Sequence, residues 1–156
     1  MRGRYPRNDV LMSVPARITV ITLGAHDLPA LRAFYARLGW ELAHDDGDDF
    51  CVFATRGAML ALFPRASLAQ DGHAPEAPPN QGVATSIGIN VDERDDVDAA
   101  IEDIRAAGAT ILKEPEDAFW GGRSSYWSDP EGNVWEVAWL PPDSKMAPKL
   151  REAGGL

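Results

Sequence analysis

The chain has 156 residues, of which 45% are apolar and 25% are charged, the balance of an ordinary globular protein rather than a disordered or fibrous one. Its 24 acidic and 15 basic residues give a formal net charge of -9 at pH 7, which argues against nucleic acid or an anionic membrane as a partner. No segment approaches the roughly 18 uncharged apolar residues of a transmembrane helix, and a single cysteine, Cys51, fits a cytoplasmic location.

The order of the predicted elements repeats once along the chain, which indicates an internal duplication. The predicted segments are a flexible arm (1–17), a first module (18–64), a proline-rich linker (65–82), a second module (83–141) and a polar tail (142–156). Modules this small bury too little surface to be stable alone, so we expect the two to pair around a common cleft within a single domain, 18–141. The sequence leaves open whether they pair within one chain or by exchange across a homodimer, and we expect a homodimer.

The first module is predicted to contain a strand, a helix and three further strands. The β-branched run ITVITL at 18–23 is typical of a strand that is buried on both faces. The helix has Asp27 as its predicted N-cap and ends at Gly39, with apolar residues at helical spacing between them. Three short strands are expected after it, at 40–44, 50–54 and 59–63.

The second module is predicted to repeat this order. A strand at 83–91 precedes a helix that ends at Gly108. Three strands are then expected, at 109–112, 123–128 and 134–139. The sequence EPEDAFWGG is predicted to be a loop before the last two strands, and DPEGN to be the turn of the hairpin that they form. The predicted fold class is therefore α+β, with two βαβββ modules.

The segments DLPALRAFYARLGWEL and FWGGRSSYWSDPEGNVWEVAWLP, with the βαβββ duplication, resemble the vicinal-oxygen-chelate superfamily of glyoxalases, bleomycin-resistance proteins and extradiol dioxygenases. The resemblance covers residues 18–141 and implies two βαβββ modules that form a ligand-binding cleft. Metal-using members place four ligands there, drawn from His, Gln and Glu, on the first and last strand of each module. The matching positions here are Val20, Met59 or Ala61, Ser86 and Glu136. Only Glu136 is a competent ligand, so we expect no metal cofactor, with a divalent metal as the alternative.

Strand alternation predicts which polar side chains face the cleft. Thr22, Ser86 and Asn90 alternate with apolar residues that should pack against the helices. Glu136 lies between two large apolar residues, so its carboxylate should project into the cleft. There it is expected to be a ligand anchor or a general base, with a structural ion pair to Arg123 as the alternative. Arg123 is also a candidate for ligand contact. For Ser86 and Asn90 the alternative is that they only satisfy nearby backbone groups.

Aromatic residues are the predicted walls of the cleft. Phe119 and Trp120 precede two consecutive glycines, which suggests an aromatic lid on a flexible hinge. One of the two is alternatively expected to pack against Tyr126 or Trp127, and Tyr126 is itself a candidate for ligand contact. Trp40 and Phe50 are further candidates, with burial in the core of the sheet as the competing interpretation.

The functional prediction is that a small organic ligand binds in the cleft without a catalytic metal, with Glu136 as its polar anchor. The acidic composition favours a cationic or neutral ligand over an anion. The alternatives are a metal-dependent lyase or dioxygenase, and a metal-free isomerase that uses Glu136 as its base. A regulatory or structural dimer, whose cleft is filled by its own side chains, is a third possibility.

Overall fold

The two halves of the chain form two mixed four-stranded sheets. The computed structural model describes residues 16–78 and 85–154, so most of the predicted arm and the end of the predicted linker lie outside it. The first sheet and its helix comprise β1 (Val20–Ala25), α1 (Leu28–Arg37), β2 (Leu42–Asp45), β3 (Cys51–Phe53) and β4 (Met59–Pro64). After α2 (Arg65–Asp71), the second comprises β5 (Ser86–Asn90), α3 (Asp96–Ala107), β6 (Thr110–Asp117), β7 (Arg123–Ser128) and β8 (Val134–Trp139), and α4 (Ala147–Glu152) follows.

The strand orders of the two sheets are equivalent, which confirms the predicted α+β fold and the repeated βαβββ order. They are β1-β4-β3-β2 and β5-β8-β7-β6, and in each sheet the first strand of the module pairs in parallel with the last. In the first module the Asp27 carboxylate accepts a hydrogen bond from the amide of Ala30 and caps α1, as predicted. In the second, α3 ends at Gly108, whose φ of 105° is costly for residues other than glycine.

One hydrophobic core joins the helix-bearing faces of both sheets. Phe34 of α1 lies 5.9 Å from Trp127 of β7 between ring centroids, and Trp127 stacks on Trp135 of β8 at 5.3 Å. The modules of one chain therefore meet through their helix sides. We call the opposite face of each sheet its open face. The first open face carries Val20, Thr22 and Met59, and the second carries Ser86, Gly88 and Glu136.

The open faces contradict one prediction about the first strand. Val20 is 49% exposed and Thr22 is also exposed, so this strand is not buried on both faces. The β-branched run suggested a fully covered strand, but Val20 and Thr22, on the side of the sheet opposite the helix, are left exposed by the described part of the chain. The predicted cleft between the open faces is consequently not closed by a single chain.

The turn between β7 and β8 fastens the second module to the first. Asp129 in this turn is buried, and its carboxylate accepts a hydrogen bond of 2.6 Å from the Tyr35 hydroxyl. That hydroxyl also accepts a hydrogen bond from the indole nitrogen of Trp135. Glu131 in the same turn accepts from the backbone amide of Asp27 and pairs with the largely buried Arg65. The DPEGN sequence is thus a contact between modules as well as a hairpin turn.

Three elements differ from the sequence prediction. The helix α2 lies in the segment predicted to be a linker, and α4 lies in the predicted tail. The strand β6 continues through the first four residues of the predicted EPEDAFWGG loop, to Asp117, with two register shifts against β7. None of the helices in the described segments is long and apolar enough to cross a membrane.

Candidate functional site

Glu136 lies on the open face of the second sheet, as alternation along β8 predicted. Its cross-strand neighbours are Gly88 on β5 and Tyr126 on β7. Apart from the adjacent residues of β5, no atom lies within 4 Å of the position that a Cβ on Gly88 would occupy, so there is open space over Gly88, next to Glu136 in the sheet. Ser86 and Asn90 flank Gly88 on the same face, and Ser86 is exposed whereas Asn90 is half-buried. This part of the sheet is polar and accessible to a ligand.

Tyr126 and Lys113 complete this polar region. Burial raises the pKa of the Tyr126 hydroxyl, and the neighbouring charge of Glu136 raises it further, so Tyr126 stays protonated and can donate a hydrogen bond. The Lys113 ammonium lies 5.7 Å from the centroid of the Tyr126 ring. It is 3.1 Å from the Glu116 carboxylate and donates to the Ser124 hydroxyl at 3.2 Å. The charge of Lys113 is therefore compensated by Glu116 rather than by Glu136.

The open face of the first sheet is apolar and aromatic by contrast. Phe50 and Phe63 are half-buried and meet edge to face, with ring centroids 5.9 Å apart. The His44 ring lies 6.1 Å from Phe50, and its Nε2 is 2.8 Å from the Asp46 carboxylate. We call His44, Phe50 and Phe63 the aromatic row. Phe50 was a sequence candidate for ligand contact, and the structure places it on an open face.

His44 and Phe63 were not predicted to be site residues. His44 ends the strand predicted at 40–44, and in the structure it pairs with Val52 and lies on β2, but it was not considered for ligand contact. Phe63 is two residues beyond Ala61 on β4, so alternation from Ala61 could have placed it on the same face. Lys113 was also missed, because β6 was interpreted as ending before it.

Arg123 does not pair with Glu136. It lies on the helix-bearing face, where its guanidinium contacts the Asp98 carboxylate through two hydrogen bonds of 2.6 and 2.8 Å and Asp117 at 3.2 Å. These contacts lower the pKa of both carboxyl groups, with the hydrogen bond from Arg123 as the main cause for Asp98 and the one from Arg94 as the main cause for Asp117. The ion pair that was the alternative for Glu136 is absent, and Arg123 does not lie on the open face as a ligand contact, because it is an odd number of residues from Tyr126, the neighbour of Glu136.

The predicted lid is a tight hairpin turn. Ala118 and Gly122 form a backbone hydrogen bond across the end of the β6–β7 hairpin. A Cβ on Gly122 would overlap the Trp120 ring and the carbonyl oxygen of Trp139, so this glycine allows close packing and is not a hinge. Trp120 lies on that glycine and is 41% exposed, whereas Phe119 is fully exposed.

Trp40 belongs to the core and not to an open face. Its ring stacks on Tyr35 with a centroid distance of 5.3 Å and meets Trp135 edge to face at 5.7 Å. The competing interpretation of Trp40 as a core residue is therefore the correct one.

The donor set on the open faces does not fit a transition metal. The positions where the parallel strands meet carry Thr22 opposite Ala61 in the first sheet and Gly88 opposite Glu136 in the second. Zinc and related ions need three or four protein ligands from imidazole, thiolate or carboxylate groups. In residues 16–78 and 85–154, no group of three or more His, Cys, Asp or Glu side chains is placed to hold a metal ion.

Comparison with known proteins places these features in a family. Residues 17–137 match the model of the Glyoxalase/Bleomycin resistance protein/Dioxygenase superfamily. A glyoxalase-related enzyme from Fulvimarina pelagi is 28% identical over 81% of this chain and 90% of its own, with a TM-score of 0.73.

Two further solved structures are similar. A glyoxalase/bleomycin resistance protein/dioxygenase from Nocardioides is 27% identical over 86% of this chain and 90% of its own, with a TM-score of 0.74. A lactoylglutathione lyase from Agrobacterium tumefaciens is 25% identical over 81% of this chain and 95% of its own, with a TM-score of 0.64. No curated protein matches the chain.

Proposed function

The chain belongs to the glyoxalase/bleomycin resistance protein/dioxygenase superfamily, and we propose that it binds a small organic ligand against its open faces, with Glu136 as the polar anchor. The observation that carries this proposal is the setting of Glu136. A half-buried carboxylate on a strand is costly to desolvate, and here it has a tyrosine on one side and empty space over Gly88 on the other. A ligand that donates a hydrogen bond would offset this cost.

We propose that a second copy of the chain closes the site. The open faces expose large apolar side chains, of which Val20 and Met59 are 49% and 36% exposed. In one chain these faces point away from the shared core, so they cannot enclose a ligand between them. A homodimer in which the first open face of one copy meets the second open face of the other would bury this apolar surface and form the cleft.

We also propose that the site works without a catalytic metal, because Glu136 is the only matching ligand among the four positions where the family places them. The net charge of -9 supports a small molecule rather than a nucleic acid or a membrane as the partner. The buried, unpaired thiol of Cys51 is compatible with a reducing cytoplasm, which is the location that we propose.

Elemental analysis together with Glu136→Gln tests this function. We expect no stoichiometric transition metal in the purified protein. We expect the variant to be as stable as the parent or more stable, because glutamine keeps an acceptor for Tyr126 and avoids the desolvation of a charge. One nickel, zinc, iron or manganese per chain that survives gel filtration and is lost in Glu136→Gln would contradict the proposal.

A lyase is the second candidate, and the similarity to the Agrobacterium protein favours it. Glu136 would then act as a general base or as one ligand of a metal completed from elsewhere. Formation of lactoylglutathione, measured with and without added zinc or nickel, separates the two candidates. Turnover that is lost in Glu136→Gln would show that the protein is a lyase rather than a binding protein. Glu102→Gln, on the exposed side of α3, is the matched control.

A further inference from the structure

We infer that the ligand is an organic cation with a flat aromatic group, whose ring lies on the aromatic row and whose protonated nitrogen pairs with Glu136. The inference rests on the proposed function and specifies the chemistry of the same site. It follows from a difference between the two open faces, since one is aromatic and the other is polar with an excess of carboxylates.

The aromatic row offers a site for a ring. Its three side chains come from β2, from the residue before β3 and from β4, so the row crosses the sheet at one end. On the next strand Gly24 lies opposite Phe63, and Arg65, paired with Glu131, packs over that glycine and bounds the row. Edge-to-face phenylalanines present both faces and edges, which suits offset stacking of a flat ligand. His44 bonds to Asp46 through Nε2, and its Nδ1 is not used by that contact.

The charges on the second open face select against an anion. The ionisable groups described there are Glu136, Glu116, Lys113 and Tyr126. Lys113 is paired with Glu116, and Tyr126 is protonated, so the uncompensated charge is that of Glu136. A carboxylate only accepts hydrogen bonds, and a bond from a charged donor is roughly twice as strong as one from a neutral donor. An anionic ligand would instead bring a second negative charge beside Glu136.

Open space on the second face is available where the charge is. Gly88 is the cross-strand neighbour of Glu136 and leaves open space over the sheet, so a protonated amine could lie next to Glu136 there without displacing a side chain. On the first face the half-buried rings of Phe50 and Phe63 already form a packed apolar surface. A ligand with a flat aromatic ring and a protonated nitrogen would make favourable contacts with both faces, whereas a purely polar or purely apolar ligand would do so with one.

Four matched probes test the inference by calorimetry on the full chain: 2-naphthylmethylamine, 2-naphthylmethanol, 2-naphthoate and cyclohexylmethylamine. We expect the naphthyl amine to bind best, about tenfold or more tighter than the alcohol, and the naphthoate to bind worst. Glu136→Gln should bring the amine close to the alcohol while leaving the alcohol unchanged. Phe63→Leu, which keeps an apolar side chain, should weaken the naphthyl amine more than the cyclohexyl amine.

The matched control for charge is Glu102→Gln, which makes the same change on the exposed side of α3 and should alter no affinity. An amine preference that persists in Glu136→Gln, equal affinities for the three naphthyl probes, or tightest binding of naphthoate would overturn the inference and leave the proposed function standing. No binding of any probe to folded parent protein would overturn it as well. The proposed function is judged separately, by metal content and by the stability of Glu136→Gln.

Discussion

Tyr35 links the two modules through a single hydroxyl group. That hydroxyl donates to Asp129 at 2.6 Å and accepts from the Trp135 indole at 3.0 Å, and all three side chains are buried. A buried polar group that loses its partner incurs its full desolvation cost, so removing the hydroxyl leaves both Asp129 and Trp135 less well satisfied. The stability of the interface between the modules therefore depends on this residue.

We predict that Tyr35→Phe lowers the free energy of unfolding by about 1 to 3 kcal/mol, measured by urea denaturation at pH 7. The variant keeps the ring and therefore the packing against Trp40 and Trp135. Tyr126→Phe is the control, because it removes a hydroxyl from an open face and not from the core. Equal losses in the two variants would contradict the role given to Tyr35.

The pH dependence of stability gives the same prediction a second test. Burial raises the pKa of Tyr35 well above its usual 10.0, and the charge of Asp129 adds to the shift. The unfolded chain loses this proton near pH 10 while the folded chain keeps it, so the contribution of Tyr35 is complete below pH 10 and is lost as the pH rises further. Tyr35→Phe should therefore show a shallower loss of stability than the parent above pH 10.

At the scale of elements, the β6–β7 hairpin depends on Gly122. We predict that Gly122→Ala destabilises the protein by about 1 to 3 kcal/mol, because the added methyl group would collide with the Trp120 ring and with the Trp139 carbonyl oxygen. Gly88→Ala is the matched control. It has open space and no positive φ, so we expect it to be neutral or slightly stabilising in thermal unfolding. A larger loss at Gly88 than at Gly122 would contradict this account of the turn.

Elements with a regular pattern could be predicted, and elements defined by tertiary contact could not. The spacing of apolar residues predicted α3, and Gly108 predicted where it ends. The N-cap Asp27 predicted where α1 begins. The strand β6 is mostly charged beyond Leu112, and it is a strand because β7 pairs with it through two register shifts. The helix α2 begins directly after β4 in a sequence of low hydrophobicity. The ion pair between its first residue, Arg65, and Glu131 connects it to the second module.

The residues of the candidate site also divide into those that a regular pattern predicts and those that depend on tertiary contacts. Alternation placed Glu136 correctly, because counting by two along a strand needs no knowledge of its partners. The neighbours of Glu136 depend on the register between strands, which the sequence does not contain. Tyr126 and Gly88 therefore lie beside Glu136, whereas the alternative partner Arg123 does not, and His44 can be grouped with Phe50 and Phe63 only when β2 and β4 are paired through β3.

At the scale of the whole molecule, the helix sides of both sheets share one core, and the open faces are not part of that core in the residues that the structure describes. The family match and the similar structures establish the fold of the chain, and the exposure of its open faces is the reason to expect a second copy. A stable interface between proteins buries about 1,200 to 2,000 Å², which contact between two whole sheet faces can provide. The site and the assembly would then depend on the same residues.

We predict that the protein is a dimer by light scattering at micromolar concentration and that Val20→Lys is a monomer. In one chain Val20 is 49% exposed, so lysine there should change the free energy of unfolding of the monomer by less than about 0.5 kcal/mol. In the dimer the same ammonium group would be desolvated at the interface, and a carboxylate such as Glu136 on the opposite face would offset only part of a cost of several kcal/mol. Ala106→Lys adds the same charge to the exposed side of α3 and should remain a dimer. A monomeric parent protein would contradict this prediction. A Val20→Lys variant that stays dimeric and binds the naphthyl amine normally would contradict it as well. Either result would show that the open faces do not meet, so that each face would have to bind its ligand alone.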